Sequence, residues 1–428
     1  MTLRDAVVHA LLIAIVTPAL TATPARAGGN CSVTSVGLTP LNQLGTGTYK
    51  GFQGGLYPGG SNLRPPAHNA AGIAIASAIA PLDTFGVPDP AGAVVLISIG
   101  MSNTTMEFSH FVSKAMSYPA RSPQLLVIDC AQGGQSADRI VNPAAPYWDF
   151  VNTRLRLAGS SPAQVQAVWL KEAIARPTGP FPVSMDTLMW DLGTIARLIE
   201  QKLPQVRLCY LSSRIYAGYA TGVSQLNPEP YAYESGFAVK GIIMAQMGGA
   251  DSLSYALGRA PWLAWGPYLW ADGLTPRADG LTWPCWDFNN DGTHPADFGR
   301  ELVADSLLRF FTTDETTVPW FLGQSTAGVP EPGSANGFEL AIAPNPAREG
   351  VEIAFTAPAE ATWRVEIIDA GGRRVAEVAR GTGHGGPESR RWSGCDAGGA
   401  AVRPGMYWVR LTVGARQVAR RFAVLDRR

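Results

Sequence analysis

The sequence predicts an α/β domain on a parallel sheet followed by a smaller all-β domain, and three observations carry this reading. Between residues 93 and 311, short apolar runs alternate with segments of helical period, as in strands that crossover helices bury on both faces. A stretch rich in Pro, Gly and Ser follows at 319–337. Beyond it come short strand-like runs separated by Gly-rich turns such as Gly371-Gly372 and Gly398-Gly399. A chain of 428 residues is also too long for one ordinary domain.

In chain order, Arg4 precedes an apolar run from Ala6 to Val16, and Ala25-Arg26-Ala27 fits a small-residue cleavage site. Residues 1–27 are therefore read as a cleaved export signal, which predicts a secreted or cell-surface protein. The run is shorter than a bilayer span, and no later segment is long and apolar enough to cross one. Asn30 ahead of Cys31 does not suit a lipoprotein signal. Lys plus Arg equals Asp plus Glu at 34 each, so composition suggests neither nucleic acid nor an acidic membrane as partner.

Residues 28–90, rich in Gly, Pro, Asn and Thr, predict irregular cover with a short helix over 70–80. Strands are predicted at 93–99, 125–130, 165–170 and 206–211, with 262–268 as a fifth. Met185, Leu188, Met189, Leu192, Ile195, Ala196 and Ile199 share one face of a helix. Further helices are expected at 233–247 and at 295–311, the latter with Pro295 in its first turn. The expected division is an α/β domain over 28–318, a linker over 319–337, and a sandwich over 338–428 with strands at 351–355, 363–368, 373–378, 406–413 and 418–425.

Five cysteines in an exported chain permit disulfides, and the odd count leaves at least one thiol unpaired. Cys130 and Cys209, at the ends of apolar runs, read as buried small hydrophobes. There is no CxxC to suggest zinc.

The first strand delivers Ser102 to a turn at its carboxyl end, where α/β sheets place their chemistry. A serine nucleophile needs a base, a group to orient that base, and donors for the oxyanion. Of five histidines, His9 lies in the signal and His384 in the β domain, which leaves His68, His110 and His294. His110 reads as structural. His294 stands in Asp291-Gly292-Thr293-His294-Pro295, where Asp291 can accept from one ring nitrogen and leave the other for a nucleophile. Ser102 as a helix cap and Gly133-Gly134 as a plain turn are the structural alternatives.

Ser102 after the first strand, Gln132-Gly133-Gly134-Gln135-Ser136 after the second, a polar cluster after the third and Asp-x-x-His before the last helix together resemble the SGNH (GDSL-like) hydrolases over residues 90–312. The resemblance implies a flavodoxin-like parallel sheet with Ser102 as nucleophile, His294 as base, Asp291 as its orienter, and the Gly134 N–H as oxyanion donor beside that of Ser102. Asn103 and Gln135, in the same blocks, are assigned to substrate. Two positions depart from the family pattern: Met101 stands where Asp is usual, and Val168-Trp169-Leu170-Lys171-Glu172 stands where Gly-x-Asn-Asp is usual. On that register Lys171 replaces the oxyanion Asn, since an ammonium also donates. Alternatives are a Lys171–Glu172 pair that leaves the hole one donor short, or a plain strand-end charge.

Tyr255, Trp262, Trp265, Tyr268, Trp270, Trp283 and Trp286 crowd the approach to the Asp291–His294 turn. Trp265 and Tyr268, with Arg214 and Tyr216 after the fourth strand, are expected to contact substrate; packing of the sheet cover is the alternative. Asp287-Phe288-Asn289-Asn290-Asp291-Gly292 opens like a calcium loop, but Phe298 occupies its twelfth position, so no metal is assigned. No cofactor is expected.

In the last domain, Pro344-Asn345-Pro346, the segment from Ile367 to Val375, Trp392-Ser393-Gly394-Cys395-Asp396, Pro404-Gly405-Met406-Tyr407 and a terminal apolar strand resemble the immunoglobulin-like C-terminal domain of flagellar hook-capping type, which is similar to the type A sorting domain of type IX secretion. The resemblance implies secretion machinery as partner and no chemistry. The competing reading is a carbohydrate-binding sandwich, which would want an exposed aromatic row; Trp363, Trp392 and Trp408 are expected to fill the core instead. The expected function is a secreted serine esterase acting on acyl, preferably acetyl, esters of a small molecule or polysaccharide. The alternative is a non-catalytic surface-binding protein on the same fold.

Overall fold

The computed structural model describes residues 30–220, 226–323, 340–344, 347–348, 350–369, 373–414 and 416–425. The expected export signal at 1–27 and the expected turn at Gly371-Gly372 lie outside them. The chain forms two compact units, the first ending at Ser325 and the second beginning at Thr326.

In the first unit the apolar runs become β1 (Val94–Gly100), β2 (Leu125–Ile128), β3 (Val165–Lys171), β4 (Leu208–Leu211) and β5 (Trp262–Trp265). All pair in parallel in the order β2-β1-β3-β4-β5, the flavodoxin-like order. Every residue of β1, β3, β4 and β5 is buried, which is why these runs carry no polar alternation. The order reverses between β1 and β3, and the crevice outside their carboxyl ends is where such sheets bind ligands.

The flanking helices are α1 (Pro66–Ser77), α2 (Ser102–Met116), α3 (Pro146–Leu157), α4 (Val183–Lys202), α5 (Tyr231–Met247) and α6 (Asp297–Thr313). Helix α2 packs on α6, and α4 on α5. Helix α3 is not among the expected elements, although its buried Tyr147, Val151 and Leu155 recur at helical spacing behind Pro146 at its first position. Pro295 lies outside α6, whose cap is Ala296, because Pro295 is held in a bridge to Phe288. The expected linker begins too early: Val318–Phe321 form a further short helix whose Trp320 and Phe321 are buried in the core of this unit.

The cover segment is irregular, as its composition predicts, and is tied down at several points. Asp272 accepts from Ser35 Oγ and from the N–H groups of Val36 and Gly37. Cys31 is joined to Cys285, 254 residues away, while Cys130 and Cys209 are buried free thiols whose burial pushes both pKa values up. Among the described residues no helix is long and apolar enough to cross a membrane.

The second unit is an antiparallel sandwich of β6 (Leu340–Ala343), β7 (Val351–Thr356), β8 (Thr362–Asp369), β9 (Arg374–Thr382), β10 (Pro387–Trp392), β11 (Gly405–Val413) and β12 (Arg416–Val424). Its sheets run β9-β8-β11-β12 and β10-β7-β6. Trp363 and Trp392 are buried in the core, whereas Trp408 is half-buried between inward Tyr407 and Val409. Strands β6 and β10 escape the sequence reading because both are short edges, and Pro-Glu-Ser-Arg-Arg-Trp has no apolar alternation.

Because the Cys31–Cys285 bridge closes a 254-residue separation, Cys31→Ser should cost roughly 2–5 kcal/mol of unfolding free energy. Denaturant titration checks this, and an unchanged midpoint would deny the bridge a stabilising role.

Candidate active site

Buried β1 ends at Gly100, where no side chain fits: an added Cβ would lie 2.3 Å from Thr104 Oγ1 and 2.5 Å from the Lys171 carbonyl. This close approach starts α2 immediately, with Ser102 as its first residue. A first-turn N–H has no acceptor within its own helix, so the Ser102 N–H is available to an anion.

Ser102 Oγ lies 2.7 Å from His294 Nε2. The other ring nitrogen, Nδ1, donates to Asp291 Oδ2 at 2.5 Å, while Asp291 Oδ1 accepts from the N–H groups of Thr293 and His294 at 3.0 and 2.9 Å. Burial opposes the charge on Asp291, but the ring and backbone bonds from His294 and Thr293 outweigh it and hold the carboxyl down at about 2. The imidazole is thereby set with Nδ1 protonated and Nε2 facing the serine hydroxyl.

The turn carrying these residues is braced on every side. Asn289 N–H donates to the His294 carbonyl at 2.8 Å, Ala296 N–H to that of Asp287 at 2.8 Å, and Asn103 Nδ2 to that of Thr293 at 2.8 Å. Gly292 has φ +67°, and a Cβ there would strike the Tyr219 carbonyl at 2.2 Å, so only glycine serves. Asn103 is thus buried and committed to the turn, which corrects its assignment to substrate.

The Gly133-Gly134 turn faces the serine: a Cβ on Gly133 would lie 3.8 Å from that of Ser102. Gln132 and Gln135 N–H close the turn on the Gly100 and Gln132 carbonyls, and among the described residues the exposed Gly134 N–H has no backbone acceptor. Gln135 is half-buried beside it.

Lys171 corrects the expectation of a third oxyanion donor. Its Nζ lies 2.6 and 2.5 Å from the two Glu107 oxygens, and both side chains are fully buried. Burial lowers the Lys171 pKa despite Glu107, so the ion pair exists to keep a desolvated ammonium charged. Its partner is not Glu172, which accepts from Ala173 N–H and whose pKa burial drives well up. The sequence reading missed Glu107, which shares the buried stripe of α2 with Thr104, Phe108 and Phe111. An acid on an apolar helix face was the available signal.

The aromatic expectations are corrected in the same way. Trp265 is buried with Nε1 donating to Leu56 O, and the buried Tyr268 hydroxyl accepts from Leu41 N–H. Tyr216 is buried with its hydroxyl on Val33 O. Arg214 is fully buried, and its guanidinium nitrogens have no hydrogen-bond partner among the described residues. Burial works against its charge, and Glu107, Glu229, Glu172 and Asp291 favour it electrostatically. These four side chains do not line an open substrate surface. His68 stacks on Trp262, and His110 pairs with Glu301. Among the described residues no group of three or more His, Cys, Asp or Glu side chains converges as metal ligands.

Two outcomes follow. Glu107→Ala should destabilise the protein by about 3–5 kcal/mol by stranding Lys171, and the double variant Glu107→Leu/Lys171→Met should recover most of that loss; denaturant midpoints decide. The folded Asp291 pKa, about 2, lies below the ordinary aspartate value of 3.8, so its charge stabilises the fold above the higher value and this contribution fades as pH falls through the lower. A carboxyl NMR titration should find that low midpoint, and His294→Ala should raise it.

No family model matches the chain, and no curated protein matches it. Among solved structures, a carbohydrate acetylesterase from Xanthomonas citri aligns at 12% identity over 78% of this chain and 79% of its own, with a TM-score of 0.28. Salicylyl-acyltransferase SsfX3 from a tetracycline biosynthetic pathway aligns at 14% identity over 53% of this chain and 56% of its own, with a TM-score of 0.28. Dimeric latent PorU from Porphyromonas gingivalis aligns at 22% identity over 23% of this chain and only 10% of its own length, with a TM-score of 0.20.

Proposed function

We propose that the first unit is a serine esterase of SGNH-like kind that hydrolyses acyl, preferably acetyl, esters. The observation that carries this reading is the 2.7 Å contact between Ser102 Oγ and His294 Nε2, with Asp291 on the far ring nitrogen. Ser102 Oγ attacks the ester carbonyl while His294 Nε2 takes its proton, and Asp291 stabilises the imidazolium that forms. The tetrahedral oxyanion is received by the N–H groups of Ser102 and Gly134. His294 then protonates the departing alcohol. Water, deprotonated by the same ring, releases the acid from the acyl-enzyme and restores Ser102.

Lys171 takes no part in these steps; its pair with Glu107 is the buried floor under α2. A non-catalytic binding role leaves the ordered Ser102–His294–Asp291 chain without a purpose. The export signal and the hook-capping-type motifs of the second unit support secretion, with that unit as a sorting or attachment module that adds no chemistry.

Hydrolysis of p-nitrophenyl acetate tests the reading. Ser102→Ala should lower kcat/KM by roughly 10³-fold or more, and Asp291→Asn by about 10⁴-fold through loss of the tautomer. Equal rates for Ser102→Ala and the unaltered protein, on this ester and on acetylated polysaccharide, would sink the esterase reading.

A further inference from the structure

Of the aromatic side chains that crowd the sequence ahead of the Asp291–His294 turn, Trp262, Trp265, Tyr268, Trp270 and Trp283 are buried. Tyr255 is 38% exposed and Trp286 70% exposed. Trp190, on α4 and outside this group, is 62% exposed, so exposure alone does not single out Trp286; its place in a cleft does.

Trp286 lines a cleft of ≈ 600 Å³, within the size range of small-ligand sites. The cleft is lined by Cys31 and Thr34, by Tyr219 and Leu274, and by residues 284–286 and 288–290. Its frame is rigid. Trp286 sits in a single helical turn, Cys285–Asp287, fixed on one side by the disulfide to Cys31 and on the other by buried Asp287. Phe288, also lining the cleft, packs edge-to-face on Tyr219 at 5.5 Å between centroids.

The cleft shares its backbone with the catalytic turn. Asn289 and Asn290 line it and lead directly into Asp291, and the Asn289 N–H that donates to the His294 carbonyl locks the two together. None of Ser102, Gly134 and His294 lines the cleft, so a ligand seated here is tied to the imidazole only through this short stretch of hydrogen-bonded chain.

The lining favours an uncharged ligand. It holds aromatic and aliphatic groups, the disulfide, two asparagine amides and a threonine hydroxyl, and no charged side chain. An anionic or cationic ligand would find no counter-charge. A neutral ring with an apolar C–H face and a hydroxylated edge matches both the indole face and the amides. We propose that this cleft is the subsite for a pyranose ring of the ester substrate, with Trp286 as its stacking platform; this rests on the esterase reading above and adds a substrate class to it.

The test compares acetylated xylo- and cello-oligosaccharides with p-nitrophenyl acetate, which has no sugar ring to seat. In Trp286→Ala the ratio of kcat/KM for the oligosaccharides to that for p-nitrophenyl acetate should fall roughly tenfold, and Trp286→Phe should restore most of it. Independently, deacetylated oligosaccharides should produce a saturable change in tryptophan fluorescence of the Ser102→Ala protein that is lost when Trp286→Ala is added. An unmoved ratio together with a fluorescence response indifferent to Trp286 overturns the subsite. Loss of the esterase reading has a separate signature, Ser102-independent hydrolysis, and leaves the fluorescence titration to decide the cleft by itself.

Discussion

Sealing both faces of the parallel sheet is the constraint from which the first unit follows. With β1, β3, β4 and β5 buried throughout, polar chemistry is confined to the carboxyl edge, where each chain segment leaves the sheet. There Gly100 is pressed so tightly between Thr104 and the Lys171 carbonyl that the backbone turns straight into α2. Ser102 is thus presented by packing on one side of the crevice. His294 arrives from 192 residues further along the chain, on a turn whose hydrogen bonds to Asn103 and Asn289 leave the ring little choice of position.

Beneath this edge lies an unusual amount of buried charge. Lys171 and Glu107 satisfy each other, Glu172 is pushed toward its neutral form by burial, and the buried Arg214 guanidinium has no hydrogen-bond partner among the described residues. Such a layer is costly to desolvate and cannot be dismantled one group at a time. It accounts for the lysine at the end of β3: the ammonium of Lys171 balances a glutamate on α2.

Much of the fold could be read before any coordinates. Unalternating β-branched runs announced buried parallel strands, and the stripe from Met185 to Ile199 announced α4. The scarcity of histidine narrowed the base to three candidates, and the Asp291-x-x-His294 spacing picked out the one now bonded to Ser102. What failed was whatever depended on partners distant in sequence. Trp265 and Tyr268 looked like substrate platforms until the cover segment brought Leu56 and Leu41 onto them. Pro319 and Trp320 looked like linker until Trp320 found the core.

Periodicity, turn chemistry and rare residue types are local properties, so the α/β class and the change to a β sandwich were legible in the amino-acid sequence; Ser102, His294 and Asp291 were candidates there, and the fold brings them within hydrogen-bond distance. Tertiary structure alone decided that Cys31 meets Cys285, that Lys171 is spent on Glu107, and that Trp286 among its neighbours stays in solvent. The physical reason is common to all three. Pairing of charges, thiols and rings depends on which surfaces the folded chain brings together across tens to hundreds of residues, and no short stretch of sequence encodes that distance.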